Sequence, residues 1–462
     1  MNRVLPLLLA CTAFTACVGP RPDPPAAAAV MPPQVWRDGK PGTDLPIDSR
    51  WWQAFDDPAL SQIVETALAN NIDIAIAATR VEEARAQFRL ARSQQLPSVN
   101  AVAAGDRDRY VNAFGKGVDQ WAGQGEVQAS FDLDLFGRLA KSSAAARAQL
   151  LASQDSRDTV RLAVATSAAL GYVTLRALDA RLAVLRDTLI ARADALKLTE
   201  RRANAGYSSR LDLTQAQAEY QATAQLIPAA ELAISQQENG LSILLGHAPG
   251  DIARGKTLDA IGLPHLPALM PSRLLERRPD VSAAANQIVA ADHSLDAARA
   301  AFMPDIKLSA TGGAALSTLL ANPISIFSLG GSILAPLFEG GQLRAQADAA
   351  AARRDQAAFA YRQVALNAFR QVEDGMAAQQ RDQEQEHALE AQRTALANAL
   401  RLADRRYRAG YSPYLELLDA QRALLSADLA LVQSRGDRLA NTINLYQAVG
   451  GGWSAPAAEI DH

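Results

Sequence analysis

Residues 342–408 read QLRAQADAAAARRDQAAFAYRQVALNAFRQVEDGMAAQQRDQEQEHALEAQRTALANALRLADRRYR. The stretch contains no proline and a single glycine, Gly375, and it consists mainly of Ala, Gln, Arg, Glu, Asp and Leu. These residues favour helices, so the stretch predicts one helix of about 100 Å at 1.5 Å per residue. Its apolar positions recur at spacings of three, four and seven, which is typical of a coiled-coil seam. They are Tyr361, Ala365, Ala368, Val372, Leu389, Leu396, Ala403 and Tyr407.

A stretch of the same kind occurs earlier, at residues 139–203, again without proline and with a single glycine, Gly171. An offset of 204 residues places Gly171 on Gly375. The same offset keeps the two copies in one register over roughly a hundred residues, which indicates an internal duplication. Other matched pairs are Arg201 and Arg405, Ala205 and Ala409, Gly206 and Gly410, Tyr207 and Tyr411, and Gly246 and Gly450.

The composition argues against several classes of function. The chain has 462 residues and a formal net charge of −3, with no long run of one sign, which argues against nucleic-acid binding. Its five histidines are scattered, and it shows no phosphate-binding loop, metal-ligand spacing or nucleophile motif. We therefore expect no cofactor and no metal, and an enzyme is the weakest interpretation.

The N-terminus predicts export and lipid attachment. Residues 1–16 have the pattern of a signal peptide, with Arg3 before an apolar run from Val4 to Phe14 that is too short to span a bilayer permanently. The sequence Phe-Thr-Ala-Cys ends at Cys17 and resembles the bacterial lipobox, whose cysteine becomes the lipidated first residue. After cleavage Cys17 would be the only cysteine, without a disulfide partner. The alternative is an ordinary signal peptide followed by an unmodified cysteine.

Residues 17–57 are predicted to form a lipid-anchored, extended N-terminal segment. Residues 18–46 are rich in Pro and Ala and have no apolar period, so we expect no packed element there. By resemblance to bacterial lipoproteins, the absence of Asp after the cysteine, where Val18 stands, favours the outer membrane.

Four short segments alternate apolar and polar residues with a period of two, which predicts strands with one apolar and one polar face. Val127, Ala129 and Phe131, for example, alternate with polar residues. The predicted strands cover residues 99–103, 127–135, 306–311 and 327–335. A glycine-containing loop joins each pair, so two hairpins are expected.

The duplication predicts the organisation of the chain. Repeat 1 covers residues 58–247 and repeat 2 residues 272–452, with a linker at 248–271 and a C-terminal tail at 453–462. Each repeat should contain a helix, a hairpin, a long helix and a returning helix. The predicted shorter helices are 58–95, 211–245, 272–301 and 415–449. They are about half as long as the long helices, so two of them stacked end to end would match one long helix.

The alternating strands carry the functional inference. No segment of the chain is left over to cover their apolar face, whereas an exported protein can bury it in lipid. Only a closed barrel satisfies the backbone there, and since four strands cannot enclose a water-filled lumen, three chains would supply about twelve. The long helices would then extend from the barrel across the periplasm. The alternative is a soluble sheet packed as a satellite on the helices.

Several motifs, met in order along the chain, resemble those of the TolC-type outer membrane efflux proteins. They are Trp51-Trp52 followed by Phe55 and Asp57-Pro58, Ala67-Leu68 followed by Asn71 and Asp73, Tyr407-Arg408-Ala409-Gly410-Tyr411, and Leu418-Asp419-Ala420-Gln421-Arg422. With the lipobox, they indicate the NodT-like lipoprotein branch that serves resistance-nodulation-division pumps. The resemblance implies a mainly α fold with a small β part. In the trimer, an α-barrel of long coiled-coil helices would continue into a twelve-stranded transmembrane β-barrel, with four strands from each chain.

The resemblance also implies a function: a passive exit duct for small molecules such as drugs and toxic compounds. The implied partners are the other copies in a homotrimer, a periplasmic adaptor protein, an inner-membrane resistance-nodulation-division pump, and outer-membrane lipid. Two alternatives stay open. The outer channel of a protein-secretion system would share the fold, and a lipid-anchored periplasmic coiled-coil scaffold would lack a pore.

By the same resemblance, the turns between long and returning helices are the periplasmic tips that contact the adaptor. The residues concerned are Gly206, Tyr207, Ser208, Gly410, Tyr411 and Ser412. The two glycines also have a structural explanation, as left-handed helix C-caps, and both roles can coexist.

Four further residues are implied to form a periplasmic gate. Tyr407 and Asp212 match a pair that links neighbouring helices and holds the entrance closed. Glu416 and Asp419 lie three apart on one helical face and match rings of carboxylates in the constriction of the trimer. The alternative is that all four are solvated residues at helix ends.

Overall fold

The computed structural model describes residues 20–37, 47–264 and 270–454. Cys17, the predicted signal peptide and most of the predicted C-terminal tail lie outside the described residues. The described part contains nine α-helices: α1 (Pro58–Asn70), α2 (Ile72–Ser93), α3 (Arg138–Asn204), α4 (Arg210–Ala224), α5 (Leu226–Leu244), α6 (Pro271–Leu274), α7 (Pro279–Ala300), α8 (Gln342–Ala409) and α9 (Tyr414–Ala448). Its four strands are β1 (Ser98–Val111), β2 (Gly117–Asp132), β3 (Asp305–Ser317) and β4 (Ile324–Leu334).

The two predicted long helices are confirmed. Helix α3 has 67 residues and α8 has 68, and each begins and ends within one residue of its predicted bounds. Their interior glycines are sites of close packing: a Cβ on Gly171 would lie 2.7 Å from Leu241, and a Cβ on Gly375 would lie 2.8 Å from Leu445. Leu241 and Leu445 are themselves related by the offset of 204 residues, so both copies use the same helix contact.

Three of the shorter helices differ from the prediction because the chain breaks them. The helix predicted at 58–95 divides at Asn71, whose side chain accepts hydrogen bonds from the backbone N–H groups of Asp73 (2.9 Å) and Ile74 (3.2 Å) and so starts a new helix. The helix predicted at 211–245 divides at Gln225, three residues before Pro228. The helix predicted from 272 begins at Pro279, after the single turn of α6.

The ends of the short helices meet, as the stacking prediction requires. The Asn71 amide donates to the carbonyl of Leu244 at the end of α5 (3.0 Å). The Arg278 guanidinium donates to the carbonyl of Ala448 at the end of α9 (2.8 Å). Leu244 and Ala448 are equivalent in the two repeats, so each returning helix has its terminal carbonyl capped by the helix pair that opens a repeat.

Contacts divide the chain into two compact units, each drawing on both repeats. The described parts of the first are residues 20–30, 79–155 and 283–363. Those of the second are 31–37, 47–78, 156–264, 270–282 and 364–454. None of the described helices is both long enough and apolar enough to cross a bilayer.

The first unit holds one antiparallel sheet in the order β1-β2-β3-β4. Its register is continuous, with Val127 opposite Ala101 on one side and Gly312 on the other, so the predicted alternation survives across the sheet. The apolar side chains stay exposed: Phe327 is 90% and Leu329 is 85% accessible. No described part of this chain covers that face, so the packed-satellite alternative finds no support. Strand β2 ends at Asp132, three residues before its predicted end.

The N-terminal segment is packed, which corrects the expectation of an unpacked leader. In the first unit, the guanidinium of Arg354, which is 1% exposed, donates to the carbonyls of Pro22 (2.7 Å) and Asp23 (3.0 Å). In the second unit, Trp36 lies with its ring centroid 6.3 Å from that of Phe369. An extended backbone has unpaired carbonyls, and arginine side chains on α8 satisfy them. Period-based reasoning does not detect this kind of contact.

The core of the second unit explains the tryptophan pair of the sequence motif. Trp51, Trp52 and Phe55 lie on a buried 3-10 turn, and the Trp51 ring stacks on Tyr446 with centroids 5.3 Å apart. Asp57 caps α1 by accepting from the N–H of Ala59 (2.8 Å).

Candidate functional site

The candidate site is the pair of turns that join long helices to returning helices, together with the helix ends next to them. All of it belongs to the second unit. In both turns the glycine has a left-handed backbone, with φ of 78° at Gly206 and 82° at Gly410. The N–H of Tyr207 donates to the carbonyl of Arg202 (2.8 Å), and the N–H of Tyr411 donates to that of Arg406 (2.9 Å). Both turns therefore have the Schellman form, and the structural explanation of the glycines is confirmed.

The turns present two tyrosines to solvent. Tyr207 is 81% exposed and Tyr411 is 80% exposed, although tyrosine usually buries part of its ring. Arg201, Arg210 and Arg405 are exposed beside them. Ser208 and Ser412 are half-buried, and the hydroxyl of Ser412 is buried without a hydrogen-bond partner among the described residues. Exposed Tyr and Arg are the side chains that protein interfaces favour.

The two returning helices start differently. Ser209 and Asp212 form a reciprocal capping box at the start of α4, with the Asp212 N–H donating to the Ser209 hydroxyl (3.1 Å). In the second repeat Pro413 stands where Ser209 would be, and α9 has no side-chain cap. Glu416, the equivalent of Asp212, instead lies 3.9 Å from Arg406. Asp212 is thus fixed by its own helix, whereas Glu416 and Asp419 are exposed on the first turns of α9.

Tyr407 lies at the centre of a small core between the helix ends. It is 2% exposed and its hydroxyl is 3.0 Å from the side-chain oxygen of Thr199 on α3. The Arg202 guanidinium donates to the Tyr407 carbonyl (2.5 Å) and lies 4.9 Å from the centre of its ring. The ring of Tyr414 packs against it at 5.6 Å. These contacts tie the end of α8 to α3 and to the start of α9.

A buried ion triad lies next to this core. Glu219 on α4 accepts from Arg192 on α3 (2.5 Å) and from the Nε of Arg422 on α9 (3.0 Å). Burial alone would raise the pKa of the Glu219 carboxyl, but the Arg422 and Arg192 guanidiniums outweigh it and hold that pKa below its usual range. Burial, followed by the nearby Glu219 carboxylate, raises the pKa of Tyr414 to about 12. Glu219 therefore stays ionised at neutral pH and Tyr414 stays neutral.

The structure brings some of the predicted residues together and separates others. Tyr407 and Asp212 share no hydrogen bond within the chain: the first is engaged by Thr199 and the second by Ser209. The predicted link between these two residues of neighbouring helices stays a prediction. The carboxylate rings of Glu416 and Asp419 likewise stay a prediction.

Sequence reasoning missed Thr199, Arg202 and the three members of the ion triad. A signal was available for Thr199, Glu219 and Arg422, because the other repeat has alanine at each equivalent position. Tyr407 corresponds to Ala203, and Glu219 corresponds to Ala423. Arg422 corresponds to Ala218. A large residue that stands in one repeat where the other has alanine indicates a contact that only one repeat makes.

Comparison with known proteins identifies the family of this chain. The family described as "Outer membrane efflux protein" matches residues 63–247 and 270–451. The toluene efflux pump outer membrane protein TtgC of Pseudomonas putida is 34% identical over 444 residues, covering 94% of this chain and 91% of the relative. The outer membrane protein OprJ of Pseudomonas aeruginosa is 32% identical over 479 residues, covering 99% and 97%.

A solved structure agrees. The open state of the MtrE outer membrane channel of Neisseria gonorrhoeae superimposes with a TM-score of 0.84 at 28% identity, covering 94% of this chain and 98% of that one. The family matches two blocks of the chain, the relatives align over nearly their whole length, and the fold is shared. The chain belongs to the outer membrane efflux protein family.

Proposed function

We propose that three copies of this chain form a passive outer-membrane channel of a tripartite efflux pump. The observation that carries the proposal is the sheet of the first unit, whose apolar face exposes Phe327, Leu329 and Ile333 while its four strands pair with one another in a continuous register. In lipid, the free edges of β1 and β4 must be paired as well, and pairing them with neighbouring copies closes a barrel. A lipid anchor at Cys17 would add to this attachment.

The proposed partner surface is the pair of turns at Gly206–Ser208 and Gly410–Ser412. Their exposed tyrosines and nearby arginines suit contact with a periplasmic adaptor, which would pass substrates on from an inner-membrane resistance-nodulation-division pump. Relatives are named for toluene, solvent, antibiotic and cation efflux. For this chain we propose export of small molecules delivered by the pump.

The proposed gate lies beside these turns. Tyr407 would hold α8 closed against α3, and Tyr407 and Asp212 would link neighbouring helices and so keep the entrance closed. Glu416 and Asp419 would face the constriction as rings of carboxylates. Among the described residues, no arginine or lysine nitrogen lies within 3.5 Å of either carboxylate, and Arg406 is 3.9 Å from Glu416.

A pair of neighbouring substitutions tests the channel. Val127→Lys places a charge on the apolar face of β2, and Gln128→Lys places the same charge on its polar face. A lysine facing lipid near the membrane centre costs about 2–4 kcal/mol, whereas one facing a water-filled lumen costs little. We expect Val127→Lys to reduce the yield of heat-modifiable trimers in outer-membrane extracts and Gln128→Lys to leave it unchanged.

Channel function is measured as conductance in planar bilayers and as drug accumulation in cells. Wild-type protein should give discrete conductance steps, and its deletion should raise drug accumulation. A protein that gives no conductance and tolerates both lysines equally would be a scaffold without a pore.

The partner surface is tested by Tyr207→Ala combined with Tyr411→Ala, which should impair efflux at normal trimer yield. Loss of the trimer together with activity would limit these residues to a structural role.

A further inference from the structure

The apolar face of the sheet carries two arginines at one end. Along β1 this face presents Val99, Ala101 and Ala103, and then, toward the hairpin turn at 112–116, Arg107 and Arg109. The continuous register places Arg107 opposite Trp121 and Arg109 opposite Asp119, so all four side chains share that face. Two cations and one acid at the end of a face that is otherwise apolar need an explanation.

Asp119 orients the guanidinium of Arg107 but does not pair with that of Arg109. Arg107 binds Asp119 in a bidentate manner, with its Nε and one terminal nitrogen each 3.0 Å from a carboxylate oxygen. The second terminal nitrogen of Arg107 remains available. No carboxylate of the described chain forms an ion pair with Arg109. This end of the face therefore has a net positive charge and a guanidinium held in place.

An apolar pocket adjoins the arginines. Trp121, the register partner of Arg107, lines a mainly apolar pocket of about 320 Å³. The other lining residues are Leu316, Leu320, Ala321 and Pro323, with the polar residues Ser317, Thr318 and Asn322. The N–H of Trp121 donates to the hydroxyl of Thr318 (3.1 Å), which holds the β3–β4 loop against β2. A cation next to an open apolar pocket suits a ligand that has an anionic head and an apolar chain.

The position along the strand matches a membrane surface. Arg107 is nine positions after Ser98, which is about 31 Å of strand, and a tilt of roughly 40° reduces this to about 23 Å along the membrane normal. The apolar band of outer-membrane barrels is about 25 Å tall, so Arg107 and Trp121 would lie at its far edge, away from the helices. This step rests on the proposed function, which puts the helices in the periplasm and the hairpin turns outside.

We propose that Arg107, Arg109 and the Trp121 pocket bind a phosphate-bearing lipid of the outer leaflet. The free nitrogen of Arg107 and the guanidinium of Arg109 would bind phosphate oxygens, for which arginine is suited by geometry and permanent charge. The pocket would take the first part of an acyl chain. Asp119 acts as a positioning residue, because its bidentate ion pair orients the Arg107 guanidinium.

The test uses full-length trimers in detergent and native mass spectrometry. Bisphosphorylated lipid A is the probe, and its dephosphorylated form and inorganic phosphate are the comparison ligands. Wild type should retain the phosphorylated lipid at least about tenfold better than Arg107→Gln combined with Arg109→Gln. The matched control is Lys307→Gln, which removes an exposed cation from the polar face of the same sheet and should retain the lipid as wild type does.

Three results would overturn the proposal. They are equal retention by the arginine variant, equal retention of the dephosphorylated lipid by wild type, and displacement of the lipid by inorganic phosphate at equal concentration. Single-channel conductance of the same variants separates this proposal from the channel itself. Normal conductance with unchanged lipid retention rejects only the lipid site, whereas absent conductance in wild type rejects the channel and this site with it.

Discussion

The hydroxyl of Tyr407 lies 3.0 Å from the side-chain oxygen of Thr199, although 208 residues separate the two in sequence. The contact joins the last turns of the two long helices and is buried on all sides. Ala203 is equivalent to Tyr407 and Ala403 is equivalent to Thr199, so this pair has no counterpart related by the duplication. The duplicated framework thus carries an asymmetric contact next to the turns, in addition to the ion triad.

Removing that hydroxyl should loosen the helix ends. Tyr407→Phe leaves the ring packed on Tyr414 but removes one of the two hydrogen bonds of the Thr199 hydroxyl, the other being to the carbonyl of Ala195, and this should cost about 0.5–1.5 kcal/mol. If the contact holds a gate closed, single-channel conductance and vancomycin sensitivity should both rise, and more so when Asp212→Ala is added. Tyr411→Phe is the matched control, since it removes a hydroxyl from a tyrosine that is 80% exposed. Equal conductance of both variants would place the constriction elsewhere.

The ion triad should stabilise the folded chain mainly through its two buried members, Glu219 and Arg192. Glu219→Gln leaves the Arg192 guanidinium, which is 4% exposed, without its counter-charge, and breaking a buried pair in this way costs about 3–5 kcal/mol. Arg422→Gln should cost far less, because the Arg422 side chain is 55% exposed and Arg192 still neutralises Glu219. Chemical denaturation of the two variants measures the difference, and equal losses would contradict the assigned role of Arg192.

The triad also predicts a pH dependence. The pKa of Glu219 is lowered in the folded chain from its ordinary value of 4.5, so the unfolded chain binds its proton more readily. The stabilisation is therefore complete above about pH 4.5 and is lost as the pH falls through the lower folded-state pKa. Melting temperatures of wild type and Glu219→Gln should converge below pH 4.5. A constant difference across that range would show that the carboxylate charge is not what stabilises the site.

Two glycines allow backbone strain to be separated from close contact. Gly206 and Gly246 have nearly the same left-handed conformation, with φ of 78° and 76°. A Cβ on Gly206 would meet nothing within 4 Å, but a Cβ on Gly246 would lie 2.5 Å from the carbonyl oxygen of Asn70. We expect Gly206→Ala to cost about 1 kcal/mol from strain alone, and Gly246→Ala to cost clearly more because backbone at the α1–α2 junction must move. Similar melting temperatures of the two variants would contradict the packing at that junction.

Sequence patterns predicted those parts of the fold that repeat. Strand β1 extends beyond its predicted end at residue 103 to Val111, and β2 begins at Gly117, ten residues before its predicted start. Helices α3 and α8, the inner parts of the strands and the equivalent glycines do follow from composition, period and the offset of 204 residues. The helix breaks at Asn71 and Gln225 did not, because a capping asparagine reads like any polar residue inside a helical pattern. The contacts of Arg354 with the N-terminal segment and of Glu219 with two arginines were also missed. They join residues far apart in sequence, and neither partner has an apolar period that reveals the pairing.

The last prediction concerns the acids at the start of α9. Glu416 and Asp419 are exposed on one helix face, and the cation nearest to Glu416, Arg406, is 3.9 Å away and itself exposed, so their charge is only weakly compensated within the chain. Brought together in three copies, they would attract cations to the entrance and bind divalent ions. Glu416→Ala combined with Asp419→Ala should therefore lower cation selectivity, measured as reversal potential in a salt gradient, and should weaken block by divalent cations. Asp437→Ala serves as the control because it removes an exposed acid farther along the same helix. Unchanged selectivity in correctly assembled trimers of the double variant, or an equal change in the control, would mean that the acids at the start of α9 are solvated helix-end residues and not part of the constriction.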